Sequence, residues 1–217
     1  MYLLFLFHIS YIIQQKAELF YSNFSASFVV LRFFCCLMLI VSATAPYEAS
    51  GIIVNGRRLK TFMFTTDLAI IRNCDADAVF AVYPFTPQQA SSDAIIKASY
   101  IPVFCGVGGG VTKGIRTVSL AKDVESQGAM GVVLNAPISN LNLAAVAAAV
   151  DIPVIVTVVR ADADIQGRFM AGASILNVAG GAQTPEVVAR IREQYPDIPI
   201  IASGGKTNES IKQTINP

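Results

Sequence analysis

Seven short apolar runs, spread through the last three quarters of the chain, leave few folds open to it. They are 61–64 (TFMF), 78–85 (AVFAVYPF), 101–107 (IPVFCGV), 130–135 (MGVVLN), 152–159 (IPVIVTVV), 174–178 (SILNV) and 198–203 (IPIIAS). Each is continuously apolar where a half-exposed strand would alternate, which is the mark of parallel strands covered on both faces. Stretches of helical composition separate them, at 67–73, 87–99, 113–127, 140–150, 163–171, 184–195 and 208–215. The sixth opens Thr184-Pro185-Glu186, an expected N-cap followed by proline at the first helical position. Seven β/α units in series predict an α/β fold.

A weak repeat narrows the choice. The third, fifth and seventh runs start Ile101-Pro102-Val103, Ile152-Pro153-Val154 and Ile198-Pro199-Ile200, whereas the fourth and sixth follow Gly128-Ala129 and Gly172-Ala173, glycines suited to ending a helix. This period of two β/α units favours a closed barrel over an open doubly wound sheet. The dinucleotide-binding form of that sheet needs G-x-G-x-x-G after its first strand, and Thr65-Thr66-Asp67 stands there instead. The expectation is therefore a TIM-type (β/α)8 barrel over 60–217, incomplete, with about seven units present and the eighth strand and helix missing. A barrel usually needs ~200 residues or more, and an absent unit exposes two sheet edges. A fragment of marginal stability is the expected consequence; a chain continued past Pro217 should melt at a higher temperature.

Residues 1–50 are unlike this body. They contain none of the 15 glycines and 11 of the 20 Phe and Tyr residues, and their charges are Lys16, Glu18, Arg32 and Glu48 alone. Three readings fit this apolar leader: an extension read through from sequence upstream of the gene, a membrane anchor within 1–45, or a secretory signal ending at Ala43-Thr44-Ala45. Neither apolar block, 1–13 or 28–41, reaches the ~18–20 residues that span a bilayer. The expected location is cytoplasmic, with membrane anchoring as the alternative. A net charge of +1 argues against a nucleic-acid partner, and a homo-oligomer is compatible with the pattern.

The stretch Asp197-Ile-Pro-Ile-Ile-Ala-Ser-Gly-Gly205 running into a helix, with Ala171-Gly172-Ala173 before a strand, resembles the phosphate-binding (β/α)8 barrels of the ribulose-phosphate-binding and aldolase-type superfamily. Around Phe104-Cys105-Gly106-Val107-Gly108-Gly109-Gly110 it also resembles a bacterial family of uncharacterised small barrels sometimes labelled only hydrolase, an activity that no residue here supports. The wider resemblance implies a small phosphorylated ligand at the carboxyl ends of the strands.

Those ends offer Thr65, Thr66 and Asp67; Cys105 to Gly110; Asn135; Thr157 and Arg160; Asn177 with Gly180 and Gly181; and Ser203 to Lys206. Ser203, Gly204, Gly205 and Lys206 combine unhindered backbone N–H groups, a helix start and a cation, a phosphate-binding set that would otherwise be a tight turn. Gly108, Gly109 and Gly110 suggest a second anion nest assisted by Lys113, a lid, or simply a flexible loop. For proton transfer next to a carbonyl, Asp67 is the candidate base, with Asn135, Asn177 and Arg160 as donors to the enolate. Asp67 serves equally as the N-cap of its helix. The single histidine, His8, lies in the leader, and Cys74 and Cys105 lack metal-ligand spacing, so no metal site and no cofactor is expected. The leading reading is an isomerase, epimerase or lyase; the competing one is a barrel that senses a phosphorylated ligand without catalysis.

Overall fold

The computed structural model describes residues 49–83, 85–203 and 208–216; the expected leader, apart from its last two residues, lies outside them. The described chain opens with an element the apolar runs did not signal. Strands β1 (Ile52–Val54) and β2 (Arg57–Leu59) pair antiparallel across Asn55-Gly56. Both turn residues have positive φ, 49° and 76°, as a two-residue hairpin turn requires and Asn-Gly accommodates. The dipeptide was visible in the sequence, but three-residue strands are too short to show alternation.

Seven β/α units follow. The strands are β3 (Phe62–Phe64), β4 (Ala78–Ala81), β5 (Val103–Gly108), β6 (Gly131–Leu134), β7 (Val154–Val158), β8 (Ile175–Val178) and β9 (Ile200–Ala202). The helices after them are α1 (Leu68–Arg72), α2 (Gln89–Ala98), α3 (Ile115–Ser126), α4 (Asn140–Ala147), α5 (Ile165–Met170), α6 (Thr184–Gln194) and α7 (Asn208–Ile215). The strands form one parallel sheet in sequence order, β3 to β9. It curls: Phe62 of β3 meets Phe104 of β5 edge-on, ring centroids 5.5 Å apart, although β4 lies between those strands. The result is an incomplete barrel whose described edge strands are β3 and β9. Among the described residues no helix is long and apolar enough to cross a membrane.

The repeat seen in the sequence has a structural cause. Pro102, Pro153 and Pro199 each present a carbonyl that accepts the first ladder bond from the preceding strand, from Val79, Val132 and Leu176 at 2.8, 3.0 and 3.0 Å. Proline has no N–H to waste at that position. Gly128 and Gly172, both at φ 97°, close α3 and α5 in the same way: Gly128 N–H bonds Glu125 O and Ala129 N–H bonds Val124 O, with Gly172 on Phe169 O and Ala173 on Arg168 O in the second case. The expected N-cap of α6 is different. Gln183 holds the cap position after a single 3₁₀ turn, Gly181–Gln183, and Thr184 turns its hydroxyl to Ser203 O at 3.1 Å. That half-buried bond joins the helix to the end of β9 and outcompetes a local cap.

Alternate strand residues serve two cores. One face packs on the helices through residues such as Val132, Val156, Leu120, Leu143 and Ile191; the other fills the barrel with Phe80, Phe104, Val133, Ile155, Ile175 and Ile201. The hairpin contributes Val54 and Leu59 to the inner core. Asp77, just before β4, fastens it: its Oδ2 accepts from Lys60 N–H, Thr61 N–H and the Thr61 hydroxyl at 2.8, 3.0 and 3.2 Å. The hairpin therefore closes the amino-terminal end of the barrel. Asp77→Ala is expected to lower the unfolding free energy by about 2–3 kcal/mol, the scale of hydrogen bonds to a charged group, and Leu59→Ala by about 2–5 kcal/mol, both read from urea titration.

Candidate functional site

Strand alternation carries the inner face to the carboxyl ends of the strands. Two residues beyond the inner-core positions Val133, Ile155, Ile175 and Ile201 stand Asn135, Thr157, Asn177 and Ser203. A polar layer thus tops an apolar one. Thr157 and Asn177 are register partners on β7 and β8. Asn177, 3% exposed, donates through Nδ2 to Thr157 Oγ1 at 3.2 Å and accepts through Oδ1 from the Ser203 hydroxyl at 2.8 Å. Ser203 is itself held by its N–H on Val178 O and its carbonyl under Thr184. Asn135 is half-buried at the end of β6, with its N–H on Gly108 O and no side-chain hydrogen bond among the described residues.

The other candidates separate from this layer. Arg160 lies past the end of β7, exposed, and pairs bidentately with Asp162 at 2.9 and 2.7 Å. The hydrogen bond from Arg160 holds the exposed Asp162 carboxyl below its usual range. Asp67 caps α1: Oδ1 accepts from Ala69 N–H and Ile70 N–H at 2.8 and 3.2 Å. Gly108 ends β5 in the core, while Gly109 and Gly110 give their N–H groups to Thr112 O and Pro137 O, which leaves neither free to face an anion. A Cβ on Gly109, at φ 108°, would sit 2.1 Å from Asn135 O, so that loop is pressed against the backbone of a polar-layer residue. Outside it lies a groove of about 370 Å³ lined by Lys113, Pro137, Ile138, Ser139 and Asn142. Gly204, Gly205 and Lys206 lie outside the described residues.

Thr157 is the residue that the reading of strand ends named without giving a role. Its signal is parity, two residues after Ile155 on a strand that is otherwise apolar. Arg160, the expected hydrogen-bond donor, stands three residues past Thr157, where the chain has left the strand. Among the described residues no three His, Cys, Asp or Glu side chains converge to hold a metal ion. The layer offers hydroxyls and amides, which orient and donate without titrating near neutral pH.

No protein-family model matches the sequence, and no curated protein matches it either. Solved structures do. Phosphonopyruvate hydrolase, solved with oxalate and Mg2+, superposes with a TM-score of 0.56 at 17% identity over 67% of this chain and 67% of that one. A candidate phosphonomutase from Burkholderia cenocepacia J2315 gives 0.56 at 16% identity over 70% and 83%, and a candidate dihydrodipicolinate synthetase from Pseudomonas aeruginosa gives 0.50 at 16% over 59% and 53%. The chain has an incomplete TIM-barrel fold. It spans about half the length of the last of these proteins, and at such identities the likeness is one of fold.

Cys105 is fully buried on β5, in the core between the sheet and the helices. Burial pushes its thiol up to about 12, so the neutral form persists where an exposed thiol ionises. Iodoacetamide at pH 8.5 is expected to leave Cys105 unmodified in the folded protein and to label it after denaturation, as peptide mass mapping would show.

Proposed function

We propose that this protein binds a small phosphorylated metabolite at the carboxyl-end mouth of the barrel and acts on it next to a carbonyl, as an isomerase, epimerase or lyase. The observation that carries this reading is the hydrogen-bonded chain Thr157–Asn177–Ser203. It sets neutral polar groups from three neighbouring strands on the inner face and ends at the first residue of the Ser203–Lys206 loop. The sequence of that loop suits a phosphate: two adjacent glycines carry no side chain to shield their N–H groups, Lys206 brings a positive charge, and α7 starts at Asn208. This fits the ribulose-phosphate-binding kind of barrel. The hydroxyl and amide groups suit a carbonyl oxygen that gains negative charge as an adjacent proton leaves. Asp67, three residues past the first barrel strand and outside the polar layer, is the base of this scheme, with Oδ2 left to act while Oδ1 caps α1.

Sensing without catalysis is favoured by one specific feature, that the only carboxylate of the scheme already has a structural task. The two readings part at Asp67→Asn. Asparagine keeps the cap and removes the base, so an enzyme loses turnover by a factor on the order of 10²–10⁴ with its melting temperature preserved, whereas a sensor loses nothing. Both need inorganic phosphate or a sugar phosphate to raise the melting temperature of the full chain; no shift at millimolar concentrations of either would defeat the shared premise.

A further inference from the structure

The amino-terminal end of the barrel, away from the polar layer, gathers charge of one sign. Strand β2 and the residue after it read Arg57-Arg58-Leu59-Lys60. Leu59 is buried in the inner core, whereas Arg57 and Arg58 are exposed. Ile53, the register partner of Arg58, is 63% exposed, so the hairpin sets an aliphatic side chain beside a guanidinium. The connections into β4 and β5 open on the same end. There Arg72 lies over the ring of Tyr100, its Cζ 3.7 Å from the centroid, and Tyr100 is 78% exposed. Over β3 to β5 the described residues of this end present Arg57, Arg58, Lys60 and Arg72 against the carboxylates of Asp75 and Asp77, and Asp77 is turned to the hairpin backbone. Lys97, in the last turn of α2, is neutralised by Asp93 at 2.8 Å.

We propose that this end of the barrel seats on an anionic lipid surface, with Arg57, Arg58 and Arg72 among the headgroups and Ile53 and Tyr100 at their boundary with the acyl chains. Cations flanked by exposed aliphatic and aromatic side chains suit a bilayer interface, which has a layer for each; a nucleic acid would use the cations and leave Ile53 in water. The sequence before the hairpin points the same way. Its 28–41 block holds a single charge, Arg32, and is too short to span a bilayer. An apolar anchor of limited reach binds firmly only when a basic patch is added to it. With the chain seated in this way, the carboxyl-end mouth, at the other end of the strands, faces away from the lipid.

The test uses the full chain with vesicles of phosphatidylcholine alone or of equal parts phosphatidylcholine and phosphatidylserine. Co-sedimentation is expected to show about tenfold tighter binding or more to the mixed vesicles at low salt, an advantage that high salt removes. Arg57→Gln combined with Arg58→Gln lowers binding to the mixed vesicles by about tenfold or more. Arg116→Gln combined with Arg190→Gln, which subtracts the same charge from exposed positions on α3 and α6, leaves it unchanged. The chain contains no tryptophan, so Ile53→Trp and Leu141→Trp each introduce a single reporter, at the hairpin and at the carboxyl-end face. Brominated lipid is expected to quench the first and spare the second, whatever the leader contributes to binding. Should the double Arg57 and Arg58 variant fail to fold by circular dichroism, the tryptophan pair decides. Equal binding to both kinds of vesicle, equal quenching at the two positions, or salt-sensitive capture of duplex DNA without capture of vesicles overturns the inference.

Discussion

Every strand of this sheet lies between two apolar environments, helices on one side and barrel interior on the other, and that constraint shapes the rest. A parallel strand covered on both faces has no solvent side on which to place polar residues. Polar groups are confined to strand ends, where the ladder runs out and the chain turns. At the amino-terminal end Asp77 and the Asn55-Gly56 hairpin use that freedom to close the barrel. At the carboxyl end Asn135, Thr157, Asn177 and Ser203 use it to build a layer that faces inward above Ile155, Ile175 and Ile201.

The two ends differ in what their polar groups have left to offer. Asp77 accepts three hydrogen bonds from its own chain and is a latch. Glu125 behaves alike, its Oε1 taking the N–H groups of Asp151 and Ile152 to fix the start of β7 against α3. The carboxyl-end layer is incompletely satisfied by the protein: Asn135 has an idle amide and Thr157 a proton with no acceptor among the described residues. Buried polar groups in that condition favour a ligand that completes them.

Much of this was legible in the sequence. Continuous apolar runs read as parallel strands because the burial of both faces is written directly into composition. The Ile-Pro starts and the glycine-alanine ends recurred because each solves one backbone problem, a ladder carbonyl without a wasted N–H or a helix end at positive φ. Asn177 was recognised from its place near a strand end. The hairpin was missed although Asn55-Gly56 announces one, since its strands are short and only tertiary contact with the inner core gives Leu59 a reason to be there. The local pattern permits Thr184 as a cap; the Ser203 carbonyl, 19 residues away in sequence, supplies a better partner.

The sequence by itself determined the unit, strand then helix, and its repetition, because strand burial and helix capping depend on neighbours within a few residues. Tertiary structure alone decided which strand-end residues meet. Arg160 and Thr157 are three positions apart, yet the charged one turns to Asp162 in solvent while the neutral one faces Asn177 inside the barrel. Asp67 had two roles open to it in the sequence, and the structure shows one of its oxygens held by α1. The direction of the Ser203, Asn177 and Thr157 bonds was likewise set by distances between three strands, which no local pattern encodes.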